Sequence, residues 1–301
     1  MTDSSAPQTH VRAEIARQPD AWARAATLLP ELAGLLPRPG EAVAVIGCGT
    51  SWFMAGAYAA LREAEGGGRT DAFAASEFPA GRDYDRVVAI SRSGTTTEVS
   101  RALEATQAPT LAITAVGGTP VCEAATEAVV LDFADEQSVV QTVFASTTLM
   151  LLRTALGTPA SPVVDQARSV LAAAHVLDPA VIAAEQVSFL GSGWAYGVAQ
   201  EAALKLREAA QLWTESYPQM EYRHGPIAVA EPGRAVWVFG TPVPGLTADI
   251  EATGAVLVDD DLDPLADLVR AQLLAADRAE AAGLDPDRPR HLTRSVVLAD
   301  S

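Results

Sequence analysis

One pattern constrains this chain more than any other. A short apolar run stops at Gly-X-Gly and opens into an alanine-rich helix, and it does so twice. Ala42–Ile46 ends at Gly47-Cys48-Gly49 and leads into a helix-length stretch from Ser51 to Ala64; Val187–Leu190 ends at Gly191-Ser192-Gly193 and does the same. At a single offset Gly47 meets Gly191, Gly49 meets Gly193, and Ser51–Glu63 falls against Ala195–Arg207. A later apolar run, Ala235–Phe239, stands where Arg86–Ile90 stands in the first half. Buried runs of this length alternating with helices specify parallel strands covered on both faces, and recurrence at a fixed offset reads as duplication. The expected fold is α/β, two tandem doubly wound parallel-sheet units.

The remaining punctuation fits that frame. Arg86–Ile90 ends at Ser91-Arg92-Ser93-Gly94, and Thr95 and Glu98 have capping-box spacing for a helix to about Ala105. Thr110–Val116 and Ala128–Phe133 read as further strands and Ser138–Leu156 as a long apolar helix. Asp20–Leu36 reads as an amphipathic lead-in helix halted by Pro37 and Pro39. Pro159 and Pro162 mark a boundary. The division is thus a lead-in helix in 1–40, a first unit in 41–157, a helical connector in 158–184, and a second unit with a C-terminal tail in 185–301.

Composition narrows the function. With 301 residues, 49% of them hydrophobic and 20% charged, the chain can bury a large core and is not disordered. A net charge of −17 excludes a nucleic-acid partner, which needs a clustered basic face, but leaves a small anionic ligand open. Two cysteines, Cys48 and Cys122, with no CxxC or Cys/His zinc spacing, give neither a disulfide framework nor a metal site. Met1–Arg12 is polar and no run of 18 apolar residues occurs, so a cytoplasmic protein without a membrane partner is expected.

In an open α/β sheet, ligands bind beyond the carboxyl ends of the strands. Two turns there are rich in hydroxyls, Gly47-Cys48-Gly49-Thr50-Ser51 and Ser91-Arg92-Ser93-Gly94-Thr95-Thr96. Taken singly, Ser91–Thr96 is as readily ordinary turn and N-cap chemistry. Two such turns on neighbouring strands point to a monophosphate site, with free N–H groups and hydroxyls as donors. No Walker A motif occurs, and GCGTSW lacks the third glycine of a dinucleotide fingerprint.

The second half carries ionisable residues instead. Glu201, Lys205 and Glu208 share one helix face. That spacing usually marks a solvated pair, but VAQEAALKLREAA is mostly apolar, and a carboxylate in a partly apolar cleft suits a general base. Downstream, His224 sits in Glu221-Tyr222-Arg223-His224-Gly225-Pro226, while His10, His175 and His291 lie near a terminus or in the connector. A lone histidine is more often structural than catalytic; His224 is the better placed of the four.

GCGTS (47–51), SEF (76–78), ISRSGTTTE (90–98), SVVQT (138–142), LGSGWAYGVAQEAALKLREAA (190–210) and EYRHGP (221–226) occur together and in order. In this the chain resembles double sugar isomerase (SIS) domain proteins, among them the isomerase half of glutamine–fructose-6-phosphate aminotransferase and stand-alone glucosamine-6-phosphate deaminase/isomerase proteins. The resemblance implies a hexose 6-phosphate substrate, with Thr50, Ser51, Ser91, Arg92, Ser93 and Thr96 around the phosphate. Arg92 replaces the aminotransferase's usual glutamine. Glu208 matches the C1/C2 general base, Lys205 and Glu201 its supporting residues, and Val140, Gln141 and Thr142 a loop bordering the sugar. His224 matches the ring-opening histidine that reaches into a partner's site, which implies a homodimer with a shared site. No cofactor is implied.

Two departures qualify the resemblance. With no glutaminase segment or N-terminal cysteine nucleophile ahead of the first unit, glutamine-dependent synthesis is not expected. In the tail, Arg294 stands where the aminotransferase has an imine-forming lysine, and a guanidinium stays protonated. The first expectation is therefore an amino-sugar 6-phosphate deaminase/isomerase, and the alternative a plain aldose–ketose isomerase. A non-catalytic phosphosugar-binding regulatory module would need neither Glu208 nor His224. It would usually carry a basic helix-turn-helix, which 1–40 does not supply.

Overall fold

The computed structural model describes residues 9–173 and 177–298. Five parallel strands form the first sheet: β1 (Val43–Gly47), β2 (Thr70–Ala74), β3 (Arg86–Ser91), β4 (Thr110–Thr114) and β5 (Glu127–Val130), in the order β2-β1-β3-β4-β5. Four more form the second: β6 (Gln186–Gly191), β7 (Trp213–Pro218), β8 (Ala235–Phe239) and β9 (Val256–Val258), in the order β7-β6-β8-β9. Each sheet puts its own first strand second in line, and every pairing is parallel. The central strands β1, β6 and β8 are buried along their whole length, as helices on both faces require.

The Gly-X-Gly turns are alike in detail. A Cβ on Gly47 would lie 2.7 Å from the Ser51 carbonyl carbon, and one on Gly191 would lie 2.4 Å from that of Ala195. Gly49 and Gly193 share φ 54, the left-handed region that favours glycine. Each turn thus starts a helix hard against its strand, Thr50–Ala64 in the first half and Ala195–Ala210 in the second. These two helices cross so closely that a Cβ on Gly197 would meet the Phe53 carbonyl oxygen at 2.5 Å. One core runs between the sheets through Met54, Val198 and Leu206, and two smaller cores fill the outer faces, around Ala89 and Leu103 and around Val238 and Ile250.

Three local expectations are corrected. The lead-in helix spans His10–Thr27 with Pro19 inside it, followed by a single turn at Leu29–Leu32. Pro19 is tolerated because the Gln18 Nε2 donates at 3.3 Å to the Ile15 carbonyl, the group that a residue-19 N–H would have reached. The apolar helix begins at Val143, not Ser138. Residues 136–142 are drawn into a loop by two buried carboxylates. Gln137 N–H donates to Glu14 Oε1 at 2.6 Å, and Thr142 and Val143 N–H donate to Glu136 Oε1 at 2.5 and 2.7 Å. The Thr95–Glu98 capping box does not form: the Thr95 hydroxyl turns to Ser93 Oγ and Ser295 Oγ at 3.1 and 2.9 Å, and the helix starts at Thr97.

The connector carries Ser161–Ala172 and Pro179–Ala183; His175 lies outside the described residues, as do residues 1–8 of the lead-in segment. A long helix that the sequence reading did not foresee, Pro264–Ala281, packs on Ala195–Ala210 and on Ser161–Ala172. No described helix is long and apolar enough to cross a membrane.

Candidate active site

The hydroxyl turns meet where the first sheet's strands end. Ser51, Ser91, Arg92, Ser93, Thr96, Gln141 and Arg294, with Cys48, line a cavity of about 30 Å³. Ser91 Oγ, Gln141 Oε1 and Arg92 Nε are buried there without a hydrogen-bond partner. Buried polar atoms are nearly always paired, so three orphans at one small cavity mark a place built for polar contacts. The rest of the Arg92 guanidinium is engaged: it donates to the Ser138 and Val139 carbonyls at 2.9 and 3.1 Å and to the Arg294 carbonyl at 3.2 Å. It also lies 3.8 Å from the Glu136 carboxylate. Burial lowers its pKa, with Glu136 opposing.

Of the loop residues, Gln141 alone reaches this cavity. The Val140 side chain is in the core, and the Thr142 hydroxyl donates to Glu136 at 3.0 Å. Glu136 itself escaped the sequence reading; a carboxylate seven residues ahead of the helix start has no short-range cap signature. The C-terminal tail lines this cavity with Arg294 and runs on beside its Thr96 edge. Ser295 Oγ lies 3.4 Å from Thr96 Oγ1, and the Val296 carbonyl accepts from the Thr97 N–H at 3.3 Å. Arg294 binds Asp135 and the Glu136 carbonyl. Tail oxygens thus sit where the donors of an anion site converge.

The second half supplies the charged face. Lys205, buried, donates to Thr50 Oγ1 at 3.0 Å and to Glu208 Oε2 at 2.5 Å, and lies 3.4 Å from Glu201 Oε1. One ammonium therefore ties the first hydroxyl turn to two carboxylates of the second half. Burial pushes the Glu201 carboxyl up to about 7, with Lys205 opposing. Burial alone would lower the Lys205 pKa, but the charges of Glu201 and Glu208 outweigh it and raise it. Glu208 is only partly buried. It opens on a second, larger cavity of about 700 Å³, which also holds Gln211, Trp213, Glu215, Arg290 and His291. His224 is exposed, borders neither cavity and is not brought to Glu208 within its own chain.

No protein-family model matches the chain. A curated relative, a glutamine–fructose-6-phosphate aminotransferase (isomerizing) from Methanothermobacter thermautotrophicus, is 30% identical over 95% of this chain and 57% of its own length. The chain spans about half the length of the curated relatives it matches. Among solved structures, a glucosamine-6-phosphate deaminase from Thermotoga maritima superposes with a TM-score of 0.80 at 25% identity. It covers 96% of this chain and 100% of its own. A tagatose-6-phosphate ketose/aldose isomerase from Escherichia coli shares the fold at a TM-score of 0.77 and 20% identity, over 96% and 98% of the two chains.

Proposed function

The chain belongs to the sugar isomerase (SIS) domain family, and from that premise we propose that it is a cytoplasmic phosphosugar enzyme acting on an amino-sugar 6-phosphate. Its deaminase/isomerase chemistry would proceed by proton transfer between C1 and C2. The observation that carries this reading is the Lys205 ammonium, hydrogen-bonded at once to Thr50 beside the hydroxyl cradle and to Glu208 at the larger cavity. A hexose 6-phosphate held by its phosphate in 41–157 then presents its far end to a base carried by 185–301, with 158–184 joining the two tandem units.

In the open-chain 2-amino aldose, Glu208 removes the C2 proton as the carbonyl electrons move to O1, and the proton is returned to C1. The product is a C2 imine. Water adds to it and ammonia leaves, giving the ketose 6-phosphate. Lys205 fixes the Glu208 carboxylate by a charge-assisted hydrogen bond, and Glu201 holds Lys205 from its other side. Ser51, Ser91, Ser93 and Thr96 donate to the phosphate, as does the remaining N–H of Arg92. A cavity of about 30 Å³ holds little more than a water, so the phosphate displaces Ser295 and the Val296 carbonyl on entry. Val140 and Thr142 shape the loop from behind, and Gln141 faces the sugar.

His224, exposed on its own chain, is assigned to ring opening in the site of a second subunit, which makes the enzyme a homodimer with shared sites. A plain aldose–ketose isomerase is the second reading. It is favoured by Arg294, which cannot form an imine and is already bound to Asp135 and Glu136. Incubation with a panel of hexosamine and hexose 6-phosphates, following both ammonia and ketose, separates them. Ketose with ammonia from the amino sugar supports the deaminase, and ketose from the hydroxy sugar alone supports the isomerase. Binding of sugar phosphates with no turnover of any supports a regulatory module.

A further inference from the structure

Two non-glycine residues among those described have positive φ, Gln211 (φ 54) and His291 (φ 66), and both line the 700 Å³ cavity that Glu208 borders. Side chains are crowded in this backbone region. Such conformations persist where the surroundings over-determine them, and they gather at functional sites. Gln211 closes the helix Ala195–Ala210. His291 closes no helix.

It sits on a strap pinned at both ends. Upstream, the Asp287 carboxylate accepts from the His10 and Val11 N–H groups at 2.8 and 2.7 Å, and its carbonyl accepts from Val139 N–H at 3.0 Å. Downstream, Arg294 is held through its carbonyl by Arg92 and through its guanidinium by Asp135. Six residues between fixed points present an imidazole to the cavity of the proposed base. Of the other ionisable groups there, Arg207 and Arg290 cannot accept a proton, and the Glu215 carboxylate has Oε2 buried and lies beside the Tyr217 hydroxyl of its own strand. Glu208 is committed to C1 and C2.

We propose that His291 is a further catalytic residue, the group that accepts the anomeric proton when the sugar ring opens, acting within the chain that supplies Glu208. The inference rests on the aldose–ketose chemistry argued above. In the step, O1 gives its proton to the His291 imidazole, the C1–O1 bond becomes a carbonyl, and the C1–O5 bond breaks. O5 takes a proton from His224 of the second subunit. Solvent exchange then returns one proton to His224 and removes one from His291, so the cycle balances. An imidazole is the side chain suited to accept and release a proton near neutrality.

The test uses the dimeric full chain and two substrates, a cyclic sugar phosphate and an analogue lacking the ring hydroxyl, with thermal melts as a folding check. His291→Asn keeps a residue tolerant of the left-handed region. It should lower turnover of the cyclic substrate about 10²-fold and leave solvent deuterium exchange into the open-chain analogue unchanged. Glu208→Gln should lose both. His291→Gly should regain cyclic turnover on adding free imidazole, which the open cavity admits. Wild-type rates in His291→Asn, or an equal loss on both substrates without imidazole rescue, overturn the role of His291 and leave that of Glu208 standing. A wild-type protein that turns over no sugar phosphate overturns the proposed function and this inference together.

Discussion

The first and second halves share a backbone plan and divide the polar chemistry between them. At the offset that superimposes the Gly-X-Gly turns, Thr50 and Ser51 face Trp194 and Ala195, so the hydroxyls belong to the first half. On the helices that follow, Ala57, Leu61 and Ala64 face Glu201, Lys205 and Glu208, so the charges belong to the second. What both halves keep is glycine where a Cβ would strike backbone (47 and 191) and where φ is 54 (49 and 193). Geometry is retained in duplicate and chemistry only once. The two complements meet because Gly197 lets the helices cross at Phe53 and Ala57, which brings Lys205 to Thr50.

The sharpest break in that comparison lies in the second half. Glu208→Gln keeps the shape and removes the proton acceptor, and loss of a general base costs about 10²–10⁴-fold in rate. Solvent deuterium exchange at C1 or C2 reads the step directly, and phosphate affinity should be untouched. Full exchange in a folded Glu208→Gln protein would take this residue out of the mechanism. In the first half, Ser93→Ala should weaken sugar-phosphate binding, since a hydrogen bond to a charged group is worth about 1.5–3 kcal/mol. Thr241→Ala, in the corresponding turn of the second sheet, should not. Calorimetric titration of both variants checks the division, and the opposite pattern would reverse it.

The shared frame itself can be broken without touching either set of polar groups. Gly191→Ala places a Cβ 2.4 Å from the Ala195 carbonyl carbon, and such overpacking costs about 1–3 kcal/mol. Gly47→Ala should cost a similar amount by the same clash, read by urea unfolding. If one is neutral while the other is not, the two turns are alike in sequence only.

The charged face also makes a pH prediction that the first half, with Ala57 in the matching place, cannot share. The Glu201 carboxyl, raised by burial to about 7 from 4.5, binds its proton more tightly folded than unfolded. The stability it contributes is complete below about pH 4.5 and is lost as pH rises toward 7. Lys205 stays charged through that window, its pKa being raised. Glu201→Gln should therefore gain stability relative to the wild type between pH 5 and 7.5, followed by thermal melts. A constant difference across that range would show that Glu201 is ionised throughout.

These residues also show how far the sequence could be read. The turns at 47–51, 91–96 and 191–193 were legible because glycine spacing is a local signal, and Glu201–Lys205–Glu208 because i, i+4 and i+7 share a helix face. The edge strands β2 and β7 were not, since Thr70–Ala74 and Trp213–Pro218 are mostly half-exposed and lack the continuous apolar run of β1 or β6. Glu14 and Glu136 were missed because each works at long range or from an irregular loop. Arg92, placed among the phosphate residues by the family resemblance, is held largely by backbone carbonyls from residues 138, 139 and 294. His291 was set aside for its position near the end of the chain. Its placement comes from Asp287 and Arg294, contacts that no short-range pattern encodes.

The smallest effect is the most discriminating, because it asks why the two helices end differently. The first, Thr50–Ala64, is followed by Glu65 and then by Gly66 at φ 71, the usual glycine stop. The second, Ala195–Ala210, stops at Gln211 with φ 54, where the Leu212 N–H closes onto the Leu206 carbonyl at 3.2 Å. Glycine would take that conformation without strain, so Gln211→Gly should stabilise the protein by about 1 kcal/mol. Gly66→Gln, which has open space around its new Cβ, should destabilise it by a like amount. Gln211, unlike Gly66, lines the cavity of Glu208. Gln211→Gly should therefore melt higher and turn over more slowly, the mark of a strained residue kept for its side chain. Equal turnover in the stabilised variant would make the glutamine an ordinary helix end and leave His291 as the strained residue of that cavity with a part in the chemistry.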